Sequence, residues 1–144
     1  MSLVRAVGQP WRPNFRHPSS WSNRDQRDHA EATGRCRWET SDPELALRIA
    51  ATVQAVAETM RHLDPDDILD PPHSWFDAAL ARQIVVWVLI DEFDLPRRVI
   101  AAVSLMSREA IARGCRTVEA RRASEPFNAT LMRIRLRARA LLAE

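Results

Sequence analysis

Arginines at helical spacing are the residues of this chain whose types and positions point most directly to chemistry. Between residues 107 and 122, Ile111, Cys115 and Val118 recur at i, i+4 and i+7, the period of one helix face. That phase puts Glu109, Arg113, Arg116 and Ala120 on the opposite face, with Arg108 and Thr117 on its flanks. Guanidinium groups held this way can bind phosphate oxygens or the acceptor edge of guanine. Other reactive arrangements do not form. His17, His29, His62 and His73 have no metal-ligand spacing, so no metal is expected. Asp66/Asp67 and the group Asp91, Glu92 and Asp94 read as helix-end caps and a solvated acidic rim, not as catalytic carboxylates. No nucleophile has a base nearby, and the expectation is a protein that is not an enzyme. Nothing matches GxxxxGK followed by Ser or Thr. Gly8, Gly34 and Gly114 are too scattered to cradle a nucleotide's phosphates, so neither nucleotide nor other cofactor is expected. Cys36 and Cys115 form no CxxC and read as reduced thiols.

The net charge of +2 over 144 residues conceals a polarity. Residues 1–40 carry 7 Arg and 4 acids, residues 41–96 carry 3 Arg and 11 acids, and residues 97–144 carry 11 Arg and 4 acids. The three stretches are therefore +3, −8 and +7. A basic C-terminal third fits an anionic partner, or it neutralises the acidic middle within one fold. No run approaches 18 apolar residues and no signal pattern opens the chain, so the expectation is a cytoplasmic protein without membrane association.

The elements that must position the arginines follow from caps and periodicity. Residues 1–40 contain Pro10, Pro13 and Pro18 with scattered Trp and Arg, and read as a disordered tail. Trp11, Trp21 and Trp38 in that tail would dock on a partner or on the domain, or hang loosely. From residue 41 to 144 the chain reads as one domain. Asp42-Pro43 caps a helix over about 43–62 that carries Ile49, Val53, Val56 and Met60. Asp64-Pro65 starts a short turn through Ile68 and Leu69, and Asp70-Pro71-Pro72-His73 breaks the chain. Ser74 and Asp77 resemble a capping box. The helix they open holds Leu80, Ile84, Trp87, Val88 and Phe93, is apolar nearly all round, and should be central. Pro96 starts a short helix with Val99 and Val103 inward, and Ser107 caps the next. Pro126 opens the last, with a stripe of Leu131, Ile134, Ala138 and Leu141. No strand signal appears, so the fold class is all-α, a helical bundle of five or six helices.

The pair 96–103 and 107–122 has the outline of a helix-turn-helix, whose second helix lies in the major groove. Taken alone, the pattern fits plain packing of two helices better than DNA binding. Several segments, however, resemble a known family. Ala81-Arg82-Gln83-Ile84-Val85-Val86-Trp87-Val88-Leu89 is similar to the start of the central helix in the C-terminal DNA-binding domain (domain IV) of the bacterial replication initiator DnaA. Gly114-Cys115-Arg116-Thr117-Val118-Glu119 resembles the end of that family's signature, Ala-Cys-Arg-Lys-Ile-Glu. Val56-Ala57-Glu58 and Asp66-Asp67-Ile68-Leu69 resemble its first helix and its Glu-Asp-Leu-Leu turn. Glu125-Pro126 with Leu131 and Ile134 resembles its closing helix. The resemblance covers about 53–143 in the right order, and implies a Trp repressor-like helix-turn-helix domain standing without the initiator's ATPase.

By that resemblance the protein would bind double-stranded DNA and regulate replication initiation or transcription, as a nucleoid-associated protein. The DNA-contacting residues would be Ser107, Arg108, Glu109, Arg113, Arg116, Thr117 and Arg121, with Arg97 and Arg98 on the backbone and Arg122 beside them. The departures fall on specificity. Where the family has Asp-His-Thr-Thr, this chain has Ser107, Arg108, Glu109 and Ala110; the family's later His is Arg113; its basic loop is Asp70-Pro71-Pro72-His73. The usual initiator box should therefore not be read in the usual way. The alternative is a protein-interaction modulator, engaging the initiator DnaA or its regulators through the acidic face and the Trp-bearing tail.

Overall fold

In a computed structural model, residues 37–71 and 76–144 are described. Six helices form among them: α1 (Pro43–Thr59), α2 (Pro65–Leu69), α3 (Phe76–Asp91), α4 (Arg97–Ser104), α5 (Arg108–Arg121) and α6 (Glu125–Ala143). None is long and apolar enough to cross a membrane.

The α1 start is set by Asp42, whose Oδ1 accepts from the amides of Glu44 at 3.0 Å and Leu45 at 3.3 Å. This satisfies two of the amides a helix start leaves unpaired, and Pro43 contributes none. The helix ends at Thr59, short of the expected 62. Asp64 precedes α2 as expected, but its side chain makes no capping bond. Ser74 lies outside the described residues; Asp77, its expected capping partner, faces solvent and meets His62 Nε2 at 3.2 Å.

The central role expected of α3 holds. Val85, Val86, Trp87, Val88 and Leu89 are five consecutive buried residues, so every side of this helix meets protein. The expected Leu80 and Phe93 are only half-buried at its ends. The helix stops where Asp94 adopts φ 55° and the Leu95 amide turns back to Leu89 O at 3.2 Å. Pro96 then launches α4. There Val103 is buried and Val99 packs half-buried against the core, as expected, while Ile100, which the pattern did not single out, is the most deeply buried residue of the helix. The last helix begins at Glu125 after the N-cap Ser124, and buries Leu131, Ile134 and Ala138, with Leu141 half-buried. α6 packs along α1, α1 also meets α3, and α3 carries α5 on its other side.

Residues 37–40, expected in the tail, are part of the fold. Trp38 is 1% exposed, its backbone N–H donates to Val103 O at 2.6 Å and its indole Nε1 to Leu69 O at 3.0 Å. Arg37 to Thr40 therefore belong to the folded body. Trp38 is the only one of the three tail tryptophans among the described residues; Trp11 and Trp21 lie outside them.

Candidate nucleic-acid interface

The α4–α5 junction is built from a serine. Ser104 is buried; its hydroxyl donates to Ile100 O at 2.6 Å and accepts from the Met106 amide at 3.1 Å. Leu105 takes the left-handed conformation, φ 61°, and its amide returns to Ala101 O at 3.0 Å. A three-residue turn, 105–107, thus joins the two helices. Ser107 then caps α5, its Oγ accepting from the Ala110 amide at 3.0 Å. That hydroxyl keeps its proton for an external acceptor.

On α5, Ile111, Cys115 and Val118 are buried as expected, together with Gly114. Gly114 lets α5 approach α3 closely: a β-carbon there would stand 3.1 Å from Gln83 Cγ. The Cys115 thiol is pushed up from its ordinary pKa by burial, then by the nearby Glu119 carboxylate, with Arg97 opposing. A neutral buried thiol makes Cys115 a packing residue.

The outward positions of α5 are open to solvent. Ser107, Arg108, Glu109, Arg113, Arg116 and Arg121 are exposed and Thr117 is half-buried. Arg97 and Arg98, exposed at the start of α4, join Arg108, Glu109 and Ala112 in lining one open groove. Arg116 Nη2 lies 3.4 Å from Glu109 Oε1, an exposed pair of the kind worth little and easily exchanged for another acceptor. The Thr117 hydroxyl donates to Arg113 O at 3.1 Å, so its proton is engaged within the helix. Arg97, Arg98, Arg108, Arg113 and Arg121 form no ion pair among the described residues.

Arg122, expected to engage an external partner, is held by contacts within the molecule. Its guanidinium stacks over Trp87, 5.5 Å from the ring centroid, donates from Nε to Asn128 Oδ1 at 2.9 Å, and lies 3.3 Å from Glu119 Oε2. Trp87 Nε1 donates to Glu119 Oε1 at 2.8 Å. This cluster fastens the end of α5 to α3 and α6. Sequence reasoning placed Trp87 in the core without asking where its N–H would go, which is the signal that leads to Glu119.

The arginines of α6 behave differently from those of α5. Arg135 pairs with Asp91 at 2.9 Å and Glu92 at 2.7 Å, Arg139 also pairs with Glu92, and Arg137 pairs with Glu58 at 2.8 Å. Burial pushes the Glu92 carboxyl up, but its bonds from Arg135 and Arg139 outweigh this and hold it below the ordinary value. The Arg137 bond does the same for Glu58. Both readings of the charge polarity thus have a place: α6 neutralises the acidic middle, and α4–α5 presents positive charge outward.

No protein family, no curated protein and no solved structure matches this chain.

Proposed function

We propose that the protein binds duplex DNA through α5 and the start of α4, as a helix-turn-helix protein related to the C-terminal domain of DnaA, and regulates replication initiation or transcription. The observation that supports this best is the separation of the arginines into two sets. Arg135, Arg137 and Arg139 of α6 are matched to acids of the same molecule. Arg97, Arg98, Arg108, Arg113, Arg116 and Arg121 of α4 and α5 are exposed, and Arg97, Arg98 and Arg108 line one groove between the two helices, where a helix-turn-helix would meet the major groove. Arg113 and Arg116 sit where they can meet phosphates or guanine edges. Ser107 adds a hydroxyl donor at the helix start, where the helix dipole also favours an anion. Glu109 beside them disfavours phosphate and suits a donor such as cytosine N4, which makes it a candidate for selectivity.

The alternative, a modulator of the initiator or its regulators, has less support. Trp38 is enclosed in the core, and Glu58, Asp91 and Glu92 of the acidic face already hold arginines.

The test is duplex binding of the full chain across a salt series, with an initiator box and a scrambled duplex. Binding should weaken steeply with salt. Changing Arg113→Ala and Arg116→Ala together should reduce affinity at least tenfold and flatten the salt dependence. Absence of binding at low salt, or an unchanged double variant, would remove the proposal.

A further inference from the structure

Glu109 is the only acid in the first three turns of α5. The positive end of the helix dipole favours a carboxylate in the first turn, which accounts for an acid there but not for its surroundings. Arg97, Arg98 and Arg108 line the same groove, and Glu109 pairs with none of them among the described residues. Its partner is Arg116, seven residues on, whose Nη2 stands 3.4 Å from its Oε1. Two helical turns separate these residues, about 10 Å of rise, so each side chain reaches along the outward face to meet the other. Both are open to solvent, 72% exposed for the Glu109 side chain and 66% for that of Arg116. A pair held this way separates at little cost when either group finds a better partner.

Against a duplex, phosphates repel Glu109 and only a base edge can offer it a donor. Guanine and thymine present acceptors to the major groove, and adenine sets its N7 acceptor beside its amino donor; cytosine presents the N4 amino group alone. We infer that Glu109 and Arg116 form a selectivity switch: a cytosine N4 donates to the Glu109 carboxylate, and Arg116, released, turns to the duplex. At a site without that cytosine Glu109 stays on Arg116, so the arginine's charge remains compensated and displaces no counterion. The switch rests on duplex binding by α5, the proposed function, and adds to it the base that this face selects and the side chain that couples selection to affinity.

Two measurements on the full chain test this. The first selects duplexes from a random-sequence library. Wild-type protein should enrich cytosine at one position. Glu109→Gln should move that position to adenine, because an amide offers both the donor that adenine N7 requires and the acceptor that its N6 requires. Glu109→Ala should lose the preference there and keep any preference elsewhere. The second is a salt series on a duplex that lacks the selected cytosine. There Glu109→Ala should bind more tightly than wild type, and the slope of log K against log salt should steepen by about one, since Arg116 is no longer compensated. In an Arg116→Ala background the same substitution should leave the slope unchanged. The same selected sequence in wild type and both Glu109 variants would overturn the inference. So would equal steepening with and without Arg116, which would reduce Glu109 to a diffuse negative charge. If wild-type protein binds no duplex, the proposed function fails and the switch with it, whereas binding without a cytosine preference removes the switch alone.

Discussion

Trp38 joins three parts of the molecule through one side chain and one amide. Its indole fills core space, its Nε1 bonds the end of α2 and its backbone bonds the end of α4. Truncation to Ala leaves a large cavity and an unpaired Leu69 carbonyl, so Trp38→Ala should lose about 3–5 kcal/mol of stability in urea unfolding. A loss under about 1 kcal/mol would mean that residues 37–40 are not part of the core. Glu92 gives a prediction in pH. Its folded pKa is lowered despite burial, because Arg135 and Arg139 bond the ionised form. A group lowered in this way adds stability above the unfolded carboxylate value of about 4.3, and that stability disappears as pH falls through the folded value. Wild-type Tm should therefore drop on acidification below about pH 4.5. In Glu92→Gln it should already be lower at pH 7 and should decline less between pH 5 and pH 3. Parallel profiles for the two proteins would show that the pair does not bind protons differently on folding.

The turn between α4 and α5 depends on Ser104 more than on any residue of the turn itself. Removing its hydroxyl leaves the Met106 amide without its acceptor beside a Leu105 held at φ 61°. Ser104→Ala should cost about 1–2 kcal/mol in equilibrium unfolding and should weaken DNA binding without changing its salt slope, because no phosphate contact is lost. A changed slope would mean that the substitution alters phosphate contacts of the proposed interface and not only the geometry of the turn. How legible each element was depended on how local its causes are. α3 could be read because an unbroken apolar stretch needs no knowledge of its neighbours. The inward and outward faces of α5 could be read because Ser107 fixes its start and Ile111, Cys115 and Val118 fix its phase. In α4 Val99 and Val103 could be read as inward, but not that Ile100 goes deepest, because two turns give too few positions to fix the centre of the buried face. The burial of Trp38 is decided by Leu69 and Val103, and the engagement of Arg122 by Trp87 and Asn128. Those partners are distant in sequence, and composition near Trp38 suggested a tail.

At the scale of the whole molecule, charge is distributed by destination. The C-terminal third holds 11 Arg, and a count assigns all of them equally to an external anion. The fold divides them: Arg135, Arg137 and Arg139 hold Glu58, Asp91 and Glu92, Arg122 braces Trp87, Arg133 bonds Thr130, Arg116 meets Glu109 at the surface, and Arg97, Arg98, Arg108, Arg113 and Arg121 are exposed with no ion pair among the described residues. An arginine already paired with a carboxylate displaces few DNA counterions, because its charge is compensated before the duplex arrives. Two sets of substitutions should then differ in effect per positive charge removed. Arg98→Ala with Arg108→Ala should lower duplex affinity and reduce the salt slope by up to about two, leaving Tm nearly unchanged. Arg137→Ala, which frees Glu58, should leave the slope as it is and shift only the thermal unfolding and its acid limb. Equal losses of affinity per arginine in the two sets would mean that the duplex senses net charge alone. In that case the α4–α5 face has no privileged role, and the proposed interface should be abandoned in favour of diffuse electrostatic attraction.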